Sequence, residues 1–201
     1  MRKPVYFLLT LLLLSALSFS ACRGEQSTPL GTVEAFLGSA RTGDWDKAMP
    51  LVDFDAKSQR MFGRIYREAT PEEQARTQAI IKERLKQSTQ KLLANQFPNS
   101  NGDMEAKQID DRIAEVRQTG KNVTLIYRMN RFKDGWRIVD RTHEIDGKRP
   151  DTKTQLWAIH KHVRDELGRE PTMADINERL DVLLDRLRVR TYQVVPKPET
   201  P

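Results

Sequence analysis

The sequence predicts an α+β fold: N-terminal helices pack on a curved antiparallel sheet, and a helical pair closes the chain. Three observations carry this expectation. Apolar residues recur at helical spacing as far as Asn95, alternate from Val123 to Met129, and return to helical spacing from Leu156 to Leu187. Between the alternating run and Trp136, Ile138 and Val139 stands Asp134-Gly135, a tight-hairpin sequence. One core-bearing domain is what a chain of this length supports.

The chain opens on an export segment rather than on the fold. Met1-Arg2-Lys3 is basic, Val5 through Leu17 is uncharged and leucine-rich, and small residues lead to Ser20-Ala21-Cys22. That order is the layout of a secretory signal peptide. A spanning helix needs roughly 20 predominantly apolar residues, and Ser15, Ser18 and Ser20 dilute the far end of this run. A core helix would show a polar face, and none interrupts the leucines. Phe19-Ser20-Ala21-Cys22 resembles the lipobox of bacterial lipoproteins, with Phe19 where Leu is usual. The resemblance implies cleavage after residue 21, diacylglycerol on Cys22 and membrane attachment through that lipid; simple cleavage or an uncleaved anchor are the alternatives. Arg23 stands where an Asp often retains such proteins in the inner membrane, which favours the outer one. Cys22 is the only cysteine, so no internal disulfide can form.

Residues 22–28 read as a lipidated polar tether. A helix is expected from Pro29, carrying Val33, Phe36 and Leu37 and ending near Gly43. After the Gly43-Asp44 turn, Trp45, Ala48, Met49 and Leu51 suggest a short second helix with Trp45 beneath the first. Phe54, Met61, Phe62, Ile65 and Tyr66 form a third helical set. Thr70-Pro71-Glu72-Glu73 is a capping box with proline in the first turn. It starts a helix running toward Asn95, with Ile81, Leu85 and Leu92 on one face and Lys82, Lys86 and Lys91 solvated. Pro98 to Gly102 is a loop by composition, and a strand is expected over Ile109 to Gln118. Gly120-Lys121-Asn122 turns into the alternating strand, Asp134-Gly135 into its return, and Gly147 to Pro150 ends the sheet. Leu156, Ile159, Val163 and Leu167 mark a helix that Gly168 stops. Thr172 with Asp175 caps the last helix, which carries Ile176, Leu180, Leu183 and Leu187. The divisions are thus a signal over 1–21, a tether over 22–28, an α+β unit over 29–148, a helical pair over 149–191 and a disordered tail over 192–201.

Thr32-Val33-Glu34-Ala35-Phe36-Leu37, then Gly43-Asp44-Trp45 and Ala48, then Asp134-Gly135-Trp136-Arg137-Ile138-Val139-Asp140, resemble the cystatin-like roll of the nuclear-transport-factor-2-like superfamily. The periplasmic phospholipid shuttles of the Mla pathway share this order, including a Gly-Trp-x-Ile-x-Asp return strand. The resemblance spans Pro29 to Asp146 and leaves the C-terminal helical pair unexplained. It implies a cone between sheet and helices that often opens as a ligand pocket, with Phe36, Trp45, Phe62, Tyr66, Tyr127 and Trp136 near it. The same aromatics would equally fill a closed core. For a protein held at a membrane, a lipid tail is the natural ligand.

Other chemistries find little support. The chain has 34 Lys and Arg against 28 Asp and Glu, a formal charge of +6 that falls by two when Arg2 and Lys3 leave with the signal. Both signs interleave, so no nucleic-acid footprint emerges. His160 and His162 lie two apart on a helix and point to different faces, so no metal site is expected. His143 has no base or orienter at a spacing that a strand would bring to its side. Glu166 to Thr172 looks like an inter-helix corner of bacterial sigma factors, but its content is generic helix stopping and starting. The expected function is a non-catalytic, membrane-anchored envelope lipoprotein that binds a lipid or another apolar ligand, without cofactor or metal. The alternative is a structural or interaction lipoprotein that docks an envelope partner through Leu156 to Leu187.

Overall fold

The computed structural model describes residues 28–145, 147, 152–180 and 182, with only the helical backbone described for residues 152–159. The expected export segment with Cys22 and the tail expected over 192–201 lie outside the described residues. The predicted α+β order holds: helices, a four-stranded antiparallel sheet, then further helices.

Helix α1 (Pro29–Thr42) starts where Thr28 caps the Gly31 amide and stops at Gly43, whose φ of 78° only glycine adopts cheaply. Asp44 then caps α2 (Trp45–Ala48), which runs into a 3-10 turn (Met49–Leu51). The third apolar set forms two helices rather than one, α3 (Phe54–Phe62) and α4 (Arg64–Glu68). Gly63, at φ 56° and ψ −120°, breaks the helical path between them. The Thr70–Glu73 capping box forms in both directions and opens α5 (Pro71–Gln96). Its buried stripe is Thr77, Ile81, Leu85, Thr89 and Leu93, so Leu93 takes the inward place expected for Leu92, which is half-buried. Thr77 and Thr89 tolerate burial because each hydroxyl donates to the carbonyl four residues back, at 2.8 and 2.7 Å.

The sheet is a simple meander, β1 (Asp103–Gln108), β2 (Ile113–Thr119), β3 (Thr124–Phe132) and β4 (Gly135–Glu144). The strand expected from Ile109 begins four residues later, because Ile109 to Arg112 make the turn that joins β1 to β2. Asp110 accepts the amides of Arg112 and Ile113 at 2.7 and 2.8 Å, closing that turn. Strand β1 went unpredicted because it lies at the sheet edge with nearly every side chain exposed, so no alternation marks it. In β4, Asp140 faces Arg128 while Ile138 faces Met129, leaving Val139 as a bulge residue. The bulge resets the alternation: Trp136 and Ile138 point inward before it, Arg141 and His143 after it.

Two cores result. The main one joins Val33, Phe36 and Leu37 of α1 and Leu85 and Leu93 of α5 to the inner sheet face of Ala114, Val116, Leu125, Tyr127, Met129, Trp136 and Ile138. The second lies on the other end of α5. There α6 (Thr152–Leu167) leads through Gly168 to α7 (residues 173–180), which buries Met173, Ile176 and Leu180 against Tyr66, Phe62, Ile65 and Ile80. Thr172 and Asp175 cap α7 as the sequence predicts. Asn177 fixes it to α5: its Oδ1, 2.8 Å from the Thr77 hydroxyl, shares that hydrogen with the Glu73 carbonyl, and its amide donates to the same carbonyl at 3.1 Å. Val163, Ile176 and Leu180 of the predicted C-terminal docking stripe are therefore buried inside the chain, while Leu183 and Leu187 lie outside the described residues.

Candidate functional site

Helices α2, α3 and α5, the 3-10 turn and strand β4 meet around an open groove of about 410 Å³. The α2 and 3-10 segment contributes Trp45, Asp46, Met49 and Pro50; the extended link to α3 contributes Val52 and Asp53; α3 opens with Phe54 and Asp55. Gln78 and Lys82 project from α5, and Arg137 from β4. Val52 is held here by backbone pairing: it bridges Ile138 in parallel, and the Asp53 amide donates to the Ile138 carbonyl at 2.9 Å. Val52 belongs to the main core and Trp45 and Phe54, partly buried, pack against it, so the groove floor is the rim of that core.

The polar wall is ordered. Asp53 caps α3 by accepting the Ala56 amide at 2.9 Å. Tyr66 donates to Asp55 at 2.9 Å and accepts from Gln78 at 2.7 Å, which ties the groove to the second core. Burial raises the Tyr66 phenol above its ordinary value. The Lys86 ammonium stands 5.9 Å from the centroid of the Trp45 ring. Arg137 pairs with Asp134 and lies 4.8 Å over Phe132.

A second polar set sits deeper, between the sheet and α5. Tyr127 donates to Gln118 at 2.7 Å, and Gln118 donates to the Asn101 carbonyl at 2.7 Å. Burial pushes the Tyr127 phenol up to about 12, opposed by the nearby Arg141 guanidinium. Arg141 donates to Thr89 and Ser88 at 2.7 and 2.6 Å. His143, beside it on the inner face, is held below its ordinary value by burial first and by Arg141 second. Behind β4, Lys57 pairs with Asp140 at 3.1 Å, its ammonium pulled down by burial and lifted back by that carboxylate.

The six aromatics expected near a pocket divide. Phe36, Tyr127 and Trp136 lie inside the main core, Trp45 lies on its rim and lines the groove, and Phe62 and Tyr66 belong to the second core. Met49, Pro50, Val52, Phe54, Lys82 and Arg137 were not foreseen. They come from four elements, and no local spacing joins them; only the Gly-Asp-Trp corner was readable. His160 meets Glu170 at 3.4 Å and His162 meets Glu166 at 3.1 Å, so the two do not converge. Among the described residues no three metal-ligating side chains cluster.

Comparison with known proteins agrees with this architecture. A solved phospholipid-binding protein from Ralstonia solanacearum, in complex with a phospholipid, is similar at 24% identity and a TM-score of 0.57. The match covers 82% of this chain and 98% of that one, and at this identity it speaks for the fold. No curated protein matches. Residues 44–144, just over half of the chain, match the family of the MlaC protein. That stretch holds the Gly-Asp-Trp corner from Asp44, the groove and the whole sheet, and the chain therefore belongs to the MlaC family.

Proposed function

We propose that this protein is a non-catalytic phospholipid-binding protein of the cell envelope, and that the groove at Trp45 is where its lipid enters. The carrying observation is the floor of that groove. Trp45, Val52 and Phe54 are at once groove lining and rim of the main core, so an acyl chain laid there meets apolar surface that leads inward. Phe36, Tyr127 and Trp136 are the aromatic residues it would meet next. Membership of the MlaC family supports the reading, as does a structural neighbour that holds a phospholipid. Kinship with the cystatin-like roll superfamily is part of the same proposal.

The lipobox-like Phe19 to Cys22 would hold this site at a membrane, with Cys22 lipidated, the domain facing the periplasm and the outer membrane favoured. Docking through the C-terminal helices has less to stand on, since Ile176 and Leu180 are buried against the protein's own core. The test is lipid extraction from the purified full-length chain after exhaustive detergent exchange, with an unrelated lipoprotein as control. Mass spectrometry should find phospholipid near one per chain above the control. A chain with no more lipid than the control overturns the proposal.

A further inference from the structure

The charges in the groove do not suit a plain anion site. Lys82 and Arg137 bring two cations to the lining, the second already paired with Asp134, against the carboxylates of Asp46, Asp53 and Asp55. Among the described residues, Lys82, Asp46 and Asp53 form no ion pair. Asp53 accepts the Ala56 amide, and Asp55 accepts from the neutral donors Tyr66 and Gln59. Unpaired charges of both signs thus line one groove without reaching each other. A ligand with one negative charge would face a net negative lining, and a bare cation would face Lys82. A ligand that carries both signs satisfies both walls.

We propose that the groove is a receptor for a phosphate–ammonium zwitterion, the headgroup chemistry of an ethanolamine phospholipid. This deepens the lipid-binding reading and rests on it. Lys82 holds the phosphodiester, and Arg137 adds the donors that its pair with Asp134 leaves over. Asp46 and Asp53 take the ammonium, beside a Trp45 ring whose neighbourhood already accommodates the Lys86 ammonium. A groove of about 410 Å³ falls within the range of small-molecule sites, roughly 300–1,000 Å³. Its apolar floor receives the start of the acyl chains.

The test compares phospholipids extracted from the full-length chain with those of the envelope it came from. The ratio of phosphatidylethanolamine to phosphatidylglycerol should exceed the pool ratio about five-fold, the scale of one or two exposed ion pairs. Lys82→Gln and Asp53→Asn should each pull that ratio back toward the pool. Both variants should fold, since Lys82 is exposed and Asn caps helices as well as Asp. Soluble glycerophosphoethanolamine, titrated against the lipid-stripped chain, separates the sources: binding weaker than that of the lipid supports the lipid. A pool-like ratio in the wild type, or a raised ratio that both variants keep, overturns the headgroup assignment. If the wild type holds no lipid, the lipid-binding reading itself has failed. The zwitterion site then survives only if glycerophosphoethanolamine binds and both variants abolish it.

Discussion

Truncating Leu180 to alanine asks whether the C-terminal helix is part of the folded unit or an appendage for partners. Leu180 is 0% exposed, in a cluster with Tyr66, Met173 and Ile176 under partly buried Phe62, Ile65 and Ile80. Buried Leu→Ala changes cost about 2–5 kcal/mol, depending on how far the site collapses. Half of this cluster's packing partners are only partly buried, so some collapse is available, and about 2–3 kcal/mol is expected. Asn177→Ala should cost less, about 1 kcal/mol, because it strands no partner. Thr77 keeps its bond to the Glu73 carbonyl at 2.8 Å, and that carbonyl keeps the Thr77 hydroxyl. Both cores share α5, so the loss should reach the main core and move the urea midpoint read by tryptophan fluorescence. With a urea slope of about 1–3 kcal/mol per molar, Leu180→Ala should lower the midpoint by roughly 1–2 M. An unchanged midpoint, with the main core unfolding as in the wild type, would refute the shared-core reasoning.

Gly102→Ala should destabilise by about 2 kcal/mol or more, since φ is +70° and a Cβ would strike the Thr119 carbonyl and the Phe97 ring. Gly38→Ala, inside α1 with nothing within 4 Å of its would-be Cβ, should stabilise by up to about 1 kcal/mol; thermal melts of the pair check both signs. Asp140→Asn should cost about 2–3 kcal/mol in urea unfolding, because it leaves Lys57, with only 14% of its side chain exposed, near Arg60 without their carboxylate. His143 titrates below its ordinary 6.5 in the folded chain, so the unfolded chain binds the proton first as pH falls. Its contribution is present above pH 6.5 and is lost as pH drops through the folded value; the stability gap between wild type and His143→Gln should narrow on that side, and an NMR titration of the imidazole should show the lowered midpoint.

What the sequence revealed and what it hid follow from the range of the forces involved. The Thr70–Glu73 box, the Gly43 stop and the Thr172–Asp175 cap are local chemistry, and each was legible; the hairpin expected at Asp134-Gly135 turns one residue earlier, at Lys133-Asp134, with Gly135 already paired to Phe132. Strand β1 was not, because a solvated edge strand needs only backbone partners and can carry Glu105 and Lys107 on one exposed ribbon. The slip from Leu92 to Leu93 is a rotation of one residue along a long helix, decided by what α5 packs against. Likewise, nothing local told Tyr66 from Tyr127. They are both nearly fully buried, yet in different cores, and only the return of α7 onto α5 separates them. The groove was the least legible feature, since backbone pairing of Val52 with Ile138 brings together segments that share no spacing.

A photo-crosslinking amino acid in place of Trp45, activated in living cells, reads whether lipid occupies the groove. The expected product is an adduct whose added mass is that of a phospholipid, absent when the same probe replaces exposed Lys121 on the far turn of the sheet. A protein adduct at position 45, or no lipid adduct there while the chain remains folded, would contradict it.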